Sequence, residues 1–458
     1  MKVLRPVLRL VLGTCLACLI SPTLRAQDQA SDSQADISKR VEQLQKEVEA
    51  LRAELAKMKD QQAAPASAAS PAPTQAALSA APPAPATAAE PAPASGTPAT
   101  PAEPASASGG NPLAGLLAHT NVTGFVDTYY GYNFNQPNNR TTNFRAFDGP
   151  NNQFSLNMIE LIFDKAPDAN NSRLGYHLSF GYGNAMNVVN STEPGGLGFA
   201  QYLKEGYLSY LAPVGKGLQF DVGKFVTPHG EEVIESKDNW NYSRGLLFTY
   251  AIPFYHFGLR AKYAFNSKFA LTGYLTNGWN NIVDNNTGKT GGVTLAWNPS
   301  KKVSIVQNYM AGPEMPNTNA HTRQLSDTVV SISPTSKLTL VVNYDYGRGD
   351  QPLGFLQPVY WTGVAGYVHY AFTDSLAWTT RYEYYNDRDG FTTGTPLGTH
   401  FNEVTETFEK RLHKNLIARL EYRYDNSNHP VYTKGSSPVT GQSTVAAGFI
   451  YAFDWREF

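Results

Sequence analysis

The sequence predicts an all-β transmembrane antiparallel barrel of about sixteen strands, preceded by a short coiled-coil helix and a disordered linker. Three observations predict it. Segments of roughly ten residues that alternate apolar and polar side chains recur from about residue 121 to the end. The links between those segments alternate between long and short. No apolar run outside the N-terminus nears the ~20 residues that a membrane helix needs, in a chain of 458 residues with a mean hydropathy of −0.35. The clearest segment is 416–425, where Leu416, Ala418, Leu420, Tyr422 and Tyr424 alternate with Ile417, Arg419, Glu421, Arg423 and Asp425. A strand sends these two sets to opposite faces, whereas a helix would mix them around its circumference.

The chain opens with Lys2, Arg5 and Arg9 followed by an apolar core from Leu10 to Ile20, the pattern of a secretory signal with cleavage after Ala26. Cys15 and Cys18, the two cysteines, both lie inside that core, and no convincing lipobox precedes either. A mature chain would therefore hold no thiol and no disulfide. Losing the basic residues of the signal makes the chain more acidic than its overall −1, which gives no hint of nucleic-acid binding.

Residues 36–60 carry a heptad seam, with Val41, Val48 and Leu55 at a and Ile37, Leu44, Leu51 and Met58 at d. Glu47 and Glu54 at g would meet Arg52 and Lys59 at e of a parallel neighbour. A single amphipathic helix packed on a body is the plainer reading, but nothing apolar lies nearby in sequence to receive it. The seam predicts a homo-oligomer, and three heptads leave dimer and trimer both open. Residues 61–113 are Ala, Pro, Ser and Thr with twelve of the 30 prolines. Such a segment builds no core and acts as a semi-rigid spacer that could reach on the order of 160 Å.

The barrel is expected over 120–458. Val122, Val126, Tyr130, Tyr132 and Phe134 mark one face of the first strand, opposite Thr123, Asp127 and Asn133. The second strand breaks phase near Met158, the sign of a bulge. Leu174, Tyr176, Leu178, Phe180 and Tyr182 alternate without error, as do Phe257 to Phe265, Leu338 to Tyr346 and Leu376 to Tyr384. Short links fall at 165–171, 212–217, 266–268, 299–301, 333–337, 373–375 and 413–415. Long ones fall at 136–152, 183–197, 227–254, 278–291, 312–324, 347–358, 388–400 and 426–442. Short periplasmic turns alternating with long outer loops are the barrel pattern, and an even strand number puts both barrel ends on the periplasmic side. Phe453 and Trp455 of the last strand stand one residue out of phase with the terminal Phe458.

Three stretches resemble one family. GFVDTYYGYNFNQP (124–137) opens the barrel, VGKF (222–225) is followed by Gly230 and Glu232, and NGW occupies 277–279. With these the chain resembles the putative beta-barrel porin-2, OmpL-like family of bacterial outer-membrane proteins, over roughly 121–458. The resemblance implies a porin-like barrel with no defined solute. A coiled-coil before a barrel is also similar to phosphate-selective O/P-type porins, although no dense run of inward Lys or Arg accompanies it here.

Arg260, Lys262, Arg381, Glu383, Arg419, Glu421, Arg423 and Asp425 fall on the face opposite the apolar stripe, which makes them pore-lining candidates. Cross-strand pairing that merely satisfies the wall is the plainer reading, and the two can hold together. The longest outer link, 227–254, carries Glu231, Glu232, Glu235 and Asp238 in its first half. Its second half holds Trp240, Tyr242, Leu246, Leu247, Phe248 and Tyr250, which would be costly to leave in water. An inward fold would bury that tail and hold the acids opposite Arg381, Arg419 and Arg423, with Glu231, Glu232 and Glu235 as constriction candidates. Neutralising those three together is expected to shift ion preference with little loss of folded protein.

His229, Glu231 and Glu232 match no known metal spacing, and 284–288 reads as a turn-rich loop rather than a Ca²⁺ site. No cofactor is expected. No nucleophile stands beside a base in a recognisable arrangement, so the sequence gives no reason to expect an enzyme. Outer-membrane lipid and the barrel-assembly machinery are the expected partners, with the N-terminal segment in the periplasm. Two functional expectations follow: a water-filled pore for small hydrophilic solutes or ions, or a structural tether or adhesin that uses the N-terminal rod and the outer loops.

Overall fold

The computed structural model describes residues 119–457. The expected signal (1–26), heptad helix (36–60) and linker (61–113) lie outside them. The described chain runs β1 (Asn121–Asn133), β2 (Gln153–Lys165), β3 (Leu174–Tyr182), β4 (Leu203–Ala212), β5 (Leu218–Val226), β6 (Tyr255–Asn266), β7 (Phe269–Thr276) and β8 (Thr290–Ser300). It continues through β9 (Val303–Pro313), β10 (Thr322–Ile332), β11 (Leu338–Gly349), β12 (Val359–Thr373), β13 (Leu376–Asp387), β14 (Thr399–His413), β15 (Leu416–Ser427) and β18 (Gly441–Asp454). Each pairs antiparallel with its sequence neighbour, and β1 pairs with β18 to close a sixteen-strand barrel. A small hairpin, β16 (Tyr432–Lys434) with β17 (Ser437–Val439), stands in the last outer link.

Closure leaves no unpaired strand edge, the one way a sheet can sit in hydrocarbon. Side chains obey the expected inversion. Leu208, Val222, Leu275, Val342, Leu420 and Phe449 are exposed on the outer wall, while Asp127, Glu160, Asp221, Arg381, Glu403 and Asp425 are buried inside. No helix among the described residues is long and apolar enough to cross a membrane. The phase break in β2 is a bulge: the β1–β2 register shifts between Asp127 and Thr128, where Met158 and Leu156 are the partners and Asn157 is the extra residue. At the other end β18 stops at Asp454 and the chain turns into a 3₁₀ helix, Trp455–Glu457, which resets the phase of the last aromatics.

The short links lie where expected, and local side chains make them tight. In the two-residue turns Asn266 Oδ1 accepts from the Lys268 amide, the Lys302 amide donates to Ser300 Oγ, and the Ser375 amide donates to Thr373 Oγ1. The long links gather at the opposite rim, where two short helices, α1 (Asn184–Val189) and α2 (Leu197–Ala200), stand in the second of them. The 284–288 stretch is a pair of side-chain-bonded turns, with the Asn286 amide on Asp284 Oδ1 and the Gly288 amide on Asn286 Oδ1. Protease added to intact cells should cut in links such as 350–358, where Leu353 and Leu356 are 74% and 77% exposed, and leave 267–268 intact. Cleavage at the short turns from outside would invert the topology.

Candidate functional site

The third outer link, 227–254, does not cap the rim. It turns into the barrel, where Tyr242, Leu246, Leu247, Phe248, Ala251 and Ile252 are buried in one cluster with inward aromatics of the wall. Burying a large apolar side chain stabilises by about 1.5–3 kcal/mol, so this tail alone favours the inward fold. Trp240 stacks on His369 of β12, with centroids 4.7 Å apart. Trp361 donates its indole N–H to the Ala251 carbonyl at 3.0 Å.

A loop in a barrel leaves its backbone groups without a ladder, and each buried one needs a partner. The strand charges supply them. Glu421 accepts the amides of Tyr242 and Ser243 at 2.6 and 3.0 Å. Glu383 accepts those of Leu246 and Leu247 at 2.5 and 3.3 Å. Arg381 donates to the Ser243 carbonyl at 2.7 Å and Arg423 to the Arg244 carbonyl at 2.8 Å. Arg419 donates to the Ser236 carbonyl and is held by Glu409 at 2.7 Å. Farther along the same wall, on β10 and β11, Asp327 accepts the Gly230 amide at 3.1 Å and Asn343 the Glu231 amide at 3.1 Å. Asp127 receives the hydroxyls of Ser236 and Tyr242 at 2.6 and 2.9 Å.

The wall has bare places where the loop presses closest. Gly448 faces the Tyr242 ring so tightly that a Cβ there would overlap it. Gly448→Ala should therefore lever Tyr242 off Asp127, seen as faster hydrogen exchange of the Tyr242 amide with the strand amides unchanged.

Four of the sequence-predicted residues, Glu232, Arg381, Arg423 and Asp425, meet in one chain of ion pairs through Glu403, and Glu235 joins a second. Glu232 pairs with Arg381 at 2.5 Å, Arg381 with Glu403 at 2.6 Å, Arg423 with Glu403 at 3.0 Å and with Asp425 at 2.7 Å. Glu235 pairs with Lys204, which also holds Glu160 at 2.6 Å. Of the acids expected opposite Arg381, Arg419 and Arg423, Glu232 pairs directly with Arg381, whereas Glu235 pairs with Lys204 instead. Neutralising Glu232 or Glu235 would remove one of the carboxylates from a buried cation and leave Arg381 with Glu403 and Lys204 with Glu160, so some loss of loop docking is expected alongside the shift in ion preference. Asp238 is exposed and pairs with Lys237, outside the network.

Arg260 and Lys262 stand apart, both on Asp221, at 2.7 and 2.9 Å. Arg260 is also stacked by Tyr207 and Phe225, whereas the Lys262 side chain keeps 38% of its surface open. Glu231 is the acid of the loop that makes no side-chain hydrogen bond or ion pair among the described residues. Burial, then the Glu232 and Asp327 carboxylates, push its carboxyl up to about 7. Because that value lies above the ordinary carboxyl range, Glu231 is protonated in mild acid and gains its charge as the pH rises through neutrality, at a cost to loop docking. Cation preference should rise between about pH 6 and about pH 8, and Glu231→Gln should flatten that rise in the reversal potential.

His229 bonds Tyr274 through Nε2 at 2.9 Å, and no group of His, Cys, Asp or Glu among the described residues is arranged to hold a metal ion. Sequence reading missed the inward aromatics Phe125, Tyr129, Trp361, Tyr367, Tyr385 and Phe401, all buried. Their signal was present: large rings on the polar face of a strand need an apolar partner inside. It also missed the inward reach of the first outer link, where Arg145 contacts Asp148, Thr444 and Asp425.

The sequence profile of the family described as "Putative beta-barrel porin-2, OmpL-like" matches residues 119–453. Among solved structures, an anion-selective porin from Comamonas acidovorans is 10% identical, covers 73% of this chain and 99% of its own, and superposes with a TM-score of 0.50. The trimer form of OmpT from Vibrio cholerae is 11% identical, with coverages of 73% and 99% and a TM-score of 0.49. The outer membrane channel DcaP of Acinetobacter baumannii is 13% identical, with coverages of 73% and 97% and a TM-score of 0.48. Among curated proteins none matches the sequence.

Proposed function

The chain belongs to the putative beta-barrel porin-2, OmpL-like family, and from that premise we propose that it is a passive outer-membrane pore for small hydrophilic solutes and ions, narrowed by the 227–254 loop. It is a porin-like β-barrel of the bacterial outer membrane. The observation that carries the reading is the inverted wall: apolar outside, charged and polar inside, in a closed sixteen-strand barrel. Barrels of this size leave an aqueous lumen rather than a packed interior. A folded loop inside such a lumen reduces its section and sets the charge that a passing solute meets.

Lys262 below the loop and Glu231 on it are the charges best placed to act on ions, since neither is enclosed in the buried network. Arg381, Arg419, Arg423, Glu383, Glu421, Glu232, Glu235 and Asp425 then serve selectivity indirectly, by fixing the loop. The heptads of residues 36–60 support a homo-oligomer with its N-terminal rods in the periplasm, and Val48→Asp with Leu51→Asp should yield monomers in mild detergent if the rods align it. Liposome swelling with sugars of increasing size tests the reading. Small sugars should enter and large ones should not. Liposomes that stay impermeable to every sugar would favour the tether.

A further inference from the structure

Above the inner loop the outer links enclose a cavity of about 480 Å³, walled by Tyr250, Phe254, Trp279, Trp361 and Phe391. Its charged lining residues are Arg323 and Glu314. Arg323 is the second residue of β10 and points inward, with glycines as cross-strand partners on both sides, Gly312 and Gly349. Two rings close on the guanidinium. Its centre lies 5.1 Å from the Trp279 centroid and 5.1 Å from that of Phe391. Trp361 packs against both rings, at 6.1 and 5.6 Å.

Stacking occupies the faces of a guanidinium and leaves its N–H groups, which point out in the plane, to seek acceptors. Here they find none. Among the described residues Arg323 makes no side-chain hydrogen bond or ion pair, and its Nε is enclosed without a partner. Glu314 does not claim it, because that carboxylate accepts from the Thr290 hydroxyl at 2.6 Å and the Trp279 amide at 2.8 Å. Burial also holds the Glu314 carboxyl above its ordinary range, which weakens its pull on the cation. Arg145, Arg260, Arg381, Arg419 and Arg423, by contrast, each pair with a carboxylate. A charge-assisted fork held open beside aromatic walls fits a planar anion, for which bidentate N–H donation is the strongest neutral-pH contact available.

We propose that this cavity is a binding site for small solutes that carry a carboxylate on an aromatic ring, the carboxylate taken by the open edge of Arg323 and the ring by the surrounding aromatic side chains. The site is a stop on the way in from the outer mouth, so its role in transport rests on the pore reading, while binding itself does not.

The test is calorimetric titration of the full chain in detergent with sodium benzoate, with benzamide and acetate as probes lacking the charge and the ring. Benzoate should bind saturably and each of the other two at least about tenfold more weakly. Arg323→Gln should weaken benzoate by about tenfold or more, and Arg323→Lys by a similar factor because an ammonium lacks the fork. Phe391→Leu, which keeps the cation, should weaken benzoate but leave acetate unchanged. Heat-resistant migration in detergent gels certifies each variant as folded. No saturable benzoate binding by the parent, equal binding of benzamide, or undiminished binding by folded Arg323→Gln would each overturn the proposal. Benzoate binding by a protein that does not conduct would retain the site and remove the pore.

Discussion

Deleting residues 231–241 is expected to raise single-channel conductance severalfold while the barrel still folds. The deleted stretch is the part of the inner loop that crosses the lumen between the Asp327–Asn343 contacts and the Glu421–Arg419 contacts. Its removal takes away the Glu232–Arg381 and Glu235–Lys204 pairs and pulls the remaining tail toward β5 and β6. None of the sixteen strand pairings uses these residues, so the ladder that holds the barrel is untouched. Narrowing by the loop, not the barrel wall, would then be what limits flow. An unchanged conductance in a folded deletion variant would place the narrow point elsewhere.

Arg381→Met should produce the largest loss of loop order from a single substitution. Arg381 is fully buried and contacts Glu232, Glu403 and the Ser243 carbonyl. Removing one partner of a buried ion pair typically costs about 3–5 kcal/mol; here Glu232 would be left dry without its cation, while Glu403 keeps Arg423. The loop should open, and protease should reach 230–250 in detergent while the strands keep their protection. Adding Glu232→Gln to Arg381→Met should recover part of the loss, since one stranded charge is then gone. Equal losses in the single and double variants would show that Arg381 acts through packing instead.

Much of this architecture was legible in the sequence because a barrel strand has a period of two, so that a bulge shows as a break of phase. Val126 and Tyr130 outward, Asp127 inward, and the Met158 bulge were all readable from alternation. Link lengths could be read for the same reason, since a turn of two residues such as 267–268 has few solutions. The burial of 227–254 was legible in its apolar tail. What its charges do was not. Alternation says that Glu383 and Glu421 face inward but not that they accept loop amides, since the partner lies more than a hundred residues away and is backbone. Arg323 escaped notice for a related reason. Its partners, Trp279 and Phe391, come from two separate links that only the closed barrel brings together.

Labelling of single cysteines tests the central claim, that the longest outer loop lies docked inside the lumen. With Cys15 and Cys18 replaced, Ser243→Cys and Leu356→Cys are each exposed on intact cells to a membrane-impermeant thiol reagent. Ser243 is fully buried between Arg381 and Glu421, while Leu356 is 77% exposed on an outer link. The docked loop predicts rapid labelling at position 356 and protection at 243 until the barrel is unfolded. Equal labelling of both positions in folded protein would contradict it.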